Sequence, residues 1–278
     1  MIKKYIPNTI TSLNLLSGSI AVIMAYEGNY QATVLLVLLA ATFDFLDGFS
    51  ARLLKAYSPL GKELDSLADM VSFGLVPGMT AFSLLRDSQW EWARYLGLLI
   101  AVFSALRLAK FNIDERQTTS FIGLATPANA IFWTGLAYSY GEVMSLPAYP
   151  WAILLMIALS CYLLISELPM FSLKFKQIGW LGNQIRWIFI AVSLLLLIFL
   201  GLNALPAIIV WYTQLALIVW LLSSQNAMQQ RISDVNQRTA IIEAQMVRIE
   251  GEVRNQINKI KIERTVPNDE RGTTVDNN

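Results

Sequence analysis

At 278 residues, with 55% hydrophobic and only 15% charged residues, the chain is too apolar and too charge-poor for an ordinary soluble domain. A net charge of +1 excludes a general basic surface for nucleic acid. The absence of histidine excludes His-based triads, histidine metal sites and phosphohistidine intermediates, and the single cysteine, Cys161, excludes a disulfide within the chain.

In chain order, apolar runs of membrane-spanning length predict eight helices, at about 9–26, 30–54, 63–85, 92–112, 122–140, 148–166, 184–201 and 204–222. Helices are expected because spanning segments must satisfy their own backbone groups in lipid, and these runs are too long and continuous for barrel strands. The N-terminal "MIKKYIPNTITSLNLLSGSIAVIMAY" has two lysines and an apolar run, but no small-residue cleavage site before a polar mature domain, so no cleaved leader is expected. Alternate connections carry Lys3, Lys4, Arg52, Lys55, Lys62, Arg107, Lys110, Arg116, Lys174, Lys176 and Arg186, whereas the opposite connections carry only Arg86 and Arg94. This bias places both termini on the cytosolic side.

Beyond residue 222 the composition turns polar with periodic apolar positions. Met228, Ile232, Val235, Thr239, Ile242, Met246, Ile249 and Val253 follow alternating steps of four and three, a heptad seam that Ile257 and Ile260 continue after a stutter. The alternative is an amphipathic helix lying on the bilayer or on its own domain. Residues 223–278 hold eight basic and eight acidic side chains, which disfavours attraction to anionic lipid. The expected organisation is an all-α polytopic membrane protein: a membrane core at 1–180, a further helical pair at 181–222, a cytosolic amphipathic or coiled-coil helix at 223–264 and a disordered tail at 265–278.

The second and third spans contain the chain's chemical signal. Four aspartates, Asp44, Asp47, Asp65 and Asp69, fall at membrane-helix ends, where ionisable groups are costly and functional by default. At about 100° per residue, Asp47, Gly48 and Ala51 lie within about 60° of Asp44, and Arg52 flanks that face. On the next helix, Gly61, Asp69 and Ser72 lie within about 40° of Asp65. Two antiparallel neighbours therefore each offer two carboxylates beside small residues. Like charges at such a convergence need a cation, and an oxygen-only ligand set suits a hard divalent ion, Mg²⁺ or Mn²⁺. Small residues admit a bulky ligand, and Arg52 suits a phosphate. An ion pathway in a transporter or a structural salt-bridge cluster are the competing readings; nearby cations are too few for the second.

The spacing D-x2-D-G-x2-A-R-x8-G-x3-D-x3-D is filled at all eight positions by Asp44, Asp47, Gly48, Ala51, Arg52, Gly61, Asp65 and Asp69. It resembles the signature of the CDP-alcohol phosphatidyltransferase family. That resemblance implies six core helices over about residues 5–170, residence in a bacterial cytoplasmic membrane, and transfer of a phosphatidyl group from a CDP-linked lipid to an alcohol with release of CMP. It further implies that Asp44, Asp47, Asp65 and Asp69 hold the metal, that Asp47, Gly48, Ala51, Arg52 and Gly61 receive the CDP-lipid, and that Asp69 is the base for the acceptor hydroxyl. Asn8, Thr11 and Asn14 are further polar candidates, Asn8 equally as a helix cap.

The flanks "PNTITSLNLLSG", "LDSLADMVSFGLVP", "RLAKFN" and "FIGLATPANA" resemble the membrane-type branch that uses CDP-diacylglycerol and L-serine. Lys110 and Ala125 depart from that branch's usual RLARFN and F-x-GLP-x-P. Another family acceptor, as in phosphatidylglycerophosphate synthesis, is the alternative. For serine, Arg107 or Lys110 would take the carboxylate and Asn112 the ammonium; ordinary snorkelling anchors are the alternative for both cations. The resemblance and the seam both suggest a homodimer. A non-enzymatic membrane scaffold using the C-terminal helix is the competing class.

Overall fold

The computed structural model describes residues 5–114, 121–144, 149–171, 179–180 and 182–265. Lys3, Lys4, Arg116, Lys174, Lys176 and residues 266–278 of the tail expected at 265–278 lie outside the described residues. Two compact units are present, Met1–Trp220 and Leu221–Asn278.

In chain order, α1 (Tyr5–Glu27) and α2 (Tyr30–Leu54) are followed by α3 (Pro59–Asp69), a π-helical turn (Met70–Leu75) and α4 (Val76–Leu84). A 3₁₀ segment (Glu91–Leu98) leads into α5 (Leu99–Ile113). Then come α6 (Thr126–Met144), α7 (Pro150–Ile165), α8 (Gln184–Leu200), a 3₁₀ turn (Gly201–Ala204) and α9 (Leu205–Thr265). A two-residue antiparallel ladder, β1 (Phe121–Ile122) with β2 (Pro169–Met170), ties the start of α6 to the end of α7. This strand pair, in the connections, departs from the helix-only expectation.

Among the described residues, five segments are long and apolar enough to cross a membrane: Tyr5–Glu27, Tyr30–Leu54, Pro59–Leu84, Glu91–Ile113 and Gln184–Lys259. Of the eight expected spans, the fifth and sixth fall outside these segments and the seventh and eighth share one, for identifiable reasons. α7 has 16 residues and reaches about 24 Å, short of a hydrocarbon core of about 30 Å. α6 has 19 residues but carries Thr126, Asn129, Thr134, Ser139 and Glu142. The seventh and eighth spans fall in the single segment Gln184–Lys259, interrupted only by the Gly201–Ala204 turn, where Gly201 has φ 56°.

The helices are inside-out by soluble-protein standards. α1 buries Pro7, Thr11, Asn14, Ser17, Gly18, Ala21 and Ala25 and exposes Leu13, Leu16, Ile20 and Ile23. In lipid, small residues let backbones approach and polar ones bond across helices, while large apolar side chains face outward. The approach at Gly18 is close: a Cβ there would lie 2.1 Å from the Ser72 Oγ and 2.7 Å from the Ser72 Cα. Larger side chains, including Trp133, Leu84, Ile100 and Ile153, fill the core between α4, α5, α6 and α7, where the Trp133 indole N–H donates to Ser160 Oγ at 2.9 Å. Cys161 is buried on α7.

The second unit is helical from Leu221 to Thr265. Its seam residues are exposed, among them Met228, Ile232, Val235, Ile242, Met246, Ile249 and Val253.

Candidate active site

The turn between α2 and α3 brings the two halves of the aspartate signature together. α2 ends at Lys55, which adopts φ 51°, while the Ala56 N–H donates to the Ala51 carbonyl at 2.9 Å. Ser58 then caps α3, accepting the Gly61 N–H at 3.0 Å, with Pro59 in the first helical turn. Two helices joined by so short a connection run antiparallel as neighbours, so the end of α2 faces the start of α3.

Asp44, Asp47 and Asp65 converge: one carboxylate oxygen from each lies within 4.8 Å of the others. Asp47 is buried, and its Oδ2 accepts from the Thr11 hydroxyl at 2.6 Å, so α1 orients that carboxylate. Asp65 Oδ1 is buried and accepts no hydrogen bond. Three carboxylates at this separation repel unless protons or a cation intervene. A hard oxygen donor set with one orphaned oxygen fits a divalent metal.

Asp69, expected as a fourth member, stands outside this triad. It is the last residue of α3, and its Oδ1 accepts from Asn14 Nδ2 at 3.4 Å. The π turn begins at the next residue. Val76 N–H bonds to the Val71 carbonyl five residues back, which shifts the phase of every later side chain. Pro77 accounts for it: a proline inside a helix donates no N–H and crowds the carbonyl four residues before it. Ser72, expected beside the carboxylates from straight-helix phasing, instead donates to the Asn14 backbone carbonyl at 3.1 Å and is fully buried against α1.

A cavity of about 360 Å³ opens beside the triad. Asp47, Gly48, Ala51, Arg52, Gly61 and Asp65 all line it, together with Asn8, Thr11 and Lys62. A Cβ on Gly48 would meet nothing within 4 Å, so its lack of a side chain leaves space in the cleft. Gly61 has a different cause: a Cβ there would lie 2.9 Å from Asn8 Oδ1 and 3.0 Å from Ser58 Oγ, so glycine lets α3 approach α1 and its own cap. Arg52 and Lys62 are exposed on the cleft wall, available to an anion. Lys62 and the Thr11–Asp47 bond were not singled out from sequence. The signal for Thr11 is the stripe Pro7, Thr11, Asn14, Gly18 at helical spacing; Lys62 reads only as a topological charge until α2 and α3 are folded together.

The three expected acceptor-side residues separate. Arg107 is 8% exposed. Its Nη1 donates to Thr126 Oγ1 at 3.3 Å, its Nε is buried without a partner, and Asp69 acts on it electrostatically. Its guanidinium carbon sits 5.5 Å from the Phe111 ring centroid. Lys110 is instead in an exposed ion pair with Glu167 at 3.5 Å, and Asn112 Nδ2 donates to Ser66 Oγ at 2.9 Å on the surface. Arg107 alone of the three is brought into the interior.

An α-helical bundle with membrane-length helices, a carboxylate triad able to hold a metal ion and an adjoining cleft defines an integral-membrane class of protein. The CDP-alcohol phosphatidyltransferase family model matches residues 4–220, and the chain belongs to that family. The match includes the helical pair expected to be additional and ends where the first compact unit ends. Among its relatives, the CDP-diacylglycerol–serine O-phosphatidyltransferase of Bacillus subtilis (strain 168) is 35% identical over 144 residues, 50% of this chain and 79% of that protein. The protein of the same name from Mycobacterium tuberculosis (strain H37Rv) is 36% identical over 138 residues, 47% of this chain and 48% of that one. The archaetidylserine synthase of Methanothermobacter thermautotrophicus is 34% identical over 128 residues, 45% and 54% of the two chains. The chain thus spans about half the length of the mycobacterial and archaeal relatives it matches.

Proposed function

We propose that the chain transfers the phosphatidyl group of CDP-diacylglycerol to the hydroxyl of L-serine, giving phosphatidylserine and CMP, with Mg²⁺ or Mn²⁺ as cofactor. The observation that carries this reading is the convergence of Asp44, Asp47 and Asp65 on the wall of a cleft lined by Gly48, Ala51, Arg52 and Gly61. The names of the relatives supply the acceptor.

A divalent cation bound by the three aspartates would neutralise charge on the pyrophosphate and on departing CMP. The chain's own residues do the rest. Thr11 fixes Asp47. Gly48 and Ala51 leave room for the nucleotide, and Arg52, with Lys62, draws the phosphates into the cleft. Asp69, held by Asn14 and outside the triad, takes the proton from the serine hydroxyl. The serine oxygen forms a bond to the phosphatidyl phosphorus as the bond from that phosphorus to the CMP oxygen breaks. The transfer is direct: the single cysteine is on α7 and does not line the cleft, and the triad aspartates are engaged as metal ligands. Labelled CMP should therefore not exchange into CDP-diacylglycerol without serine.

The remaining parts of the reading are a cytosolic site with both termini on that side, supported by the lysine and arginine bias, eight spans, and a homodimer supported by the heptad seam. The test is CMP release by purified protein given CDP-diacylglycerol and Mn²⁺ with serine, glycerol 3-phosphate or inositol in parallel. Serine-dependent release abolished by chelation is the expected result. Release with glycerol 3-phosphate alone would assign a different acceptor, and no release with any acceptor would favour a scaffold.

A further inference from the structure

Among the described residues, Asn129 is fully buried, and both the Oδ1 and the Nδ2 of its side chain lack a hydrogen-bond partner. An amide left unpaired in a bundle interior is costly, so its retention calls for a ligand. Its place in the fold says which. Thr126 lies one turn before Asn129 on α6, so the two share a helix face. Thr126 Oγ1 accepts from Arg107, whose own Nε is unpartnered and which sits in the field of Asp69. Ser104, one turn before Arg107 on α5, is also buried with its hydroxyl unpaired. α5 and α6 thus each present unsatisfied polar groups about one turn from the Arg107–Thr126 bond.

We infer that Asn129 is a specificity residue that accepts a hydrogen bond from the ammonium group of the amino-alcohol acceptor. This rests on the reading of serine as acceptor and completes it. With Asp69 at the hydroxyl and Arg107 at the carboxylate, the ammonium still needs a neutral acceptor; an added cation would repel it. Asn129 Oδ1 supplies that acceptor, and Nδ2 remains to donate to the carboxylate. Asn112, the sequence-level candidate for this role, is on the surface and bonded to Ser66.

The experiment compares serine with 3-hydroxypropanoate, which keeps the hydroxyl and carboxylate and lacks the ammonium, by kcat/KM in wild type, Asn129→Leu and Asn129→Ala, with melting temperatures measured alongside. The wild type should prefer serine strongly. Asn129→Leu, close in shape and apolar, should lose at least about 10-fold of that preference, the scale of a hydrogen bond to a charged group. Its melting temperature should hold or rise, because an unpaired polar group has been removed. A merely structural asparagine would do the reverse: melting falls and preference stays, which overturns the inference. Asn129→Ala carries the same test if the leucine variant does not fold, and failure of both to fold makes Asn129 structural and overturns it as well. A wild type that uses glycerol 3-phosphate but not serine sinks the acceptor reading, and this inference with it. A wild type that uses serine, with variants that keep its preference, sinks this inference alone.

Discussion

The cleft between α1, α2 and α3 and the helical unit beyond Trp220 are both polar stretches of a largely apolar chain, and they are built on opposite principles. In the cleft, no single helix holds a complete site: Thr11 comes from α1, Asp44 and Asp47 from α2, Asp65 from α3. Its carboxylates are drawn wholly or partly inward, which makes their charges strong and their placement exacting. In the C-terminal unit, the seam residues from Met228 to Val253 lie on one continuous helix and are exposed. That surface has a periodicity but no convergence. Chemistry belongs with convergence and association with periodicity, and the two should therefore separate on mutation.

The largest effect should come from the triad. If the triad holds the cation, Asp44→Asn removes a ligand whose electrostatic role is worth several kcal/mol in the transition state, so CMP release should fall by at least about 10³-fold, with no rescue by excess Mn²⁺. Activity within about 10-fold of wild type would break the assignment of the triad. Asp69→Asn should lower turnover by about 100-fold, the scale of a general base, with a smaller change in the Michaelis constant for CDP-diacylglycerol. If donor and metal binding are lost as thoroughly as in Asp44→Asn, Asp69 belongs functionally with the triad despite standing outside it.

Arg107→Lys tests the acceptor side. A charge-assisted bond of about 1.5–3 kcal/mol predicts a rise of about 10- to 150-fold in the Michaelis constant for serine. The donor constant should barely move, and discrimination against serinol, which lacks the carboxylate, should weaken. Unchanged discrimination would return Arg107 to a structural role against Thr126 and Phe111. Gly18→Ala probes the support beneath the site: the added methyl meets Ser72, and overpacking of this kind costs about 1–3 kcal/mol, read as a lower melting temperature in detergent. The smallest effect on chemistry is expected from truncation after Leu222. Specific activity should stay within about two-fold, as distant independent sites behave, while self-association measured by sedimentation weakens. Lost activity in a truncated protein that is folded and still dimeric would erase the contrast between the two regions.

The sequence by itself determined what depends on local order along one helix. Apolar run lengths place every expected span on a helix, the spacing of the eight signature residues identifies the family, and the alternating steps from Met228 to Val253 mark the seam. These are legible because helical geometry converts spacing directly into a shared face. Tertiary structure decided what depends on two helices meeting. Asp69, the last residue of α3, falls outside the group formed by Asp44, Asp47 and Asp65, and Ser72 turns to α1 because Pro77 forces a π turn that straight-helix phasing does not contain. Gly61 is explained by the approach of Asn8 and the Ser58 cap. Of Arg107, Lys110 and Asn112, three polar residues within six positions at one helix end, only Arg107 is carried inward, because the helix turns its neighbours toward Glu167 and Ser66. Asn129 lies in the "FIGLATPANA" flank, but nothing local shows that its side chain lacks partners; an asparagine in an apolar helix reveals that only when every neighbouring helix is in place.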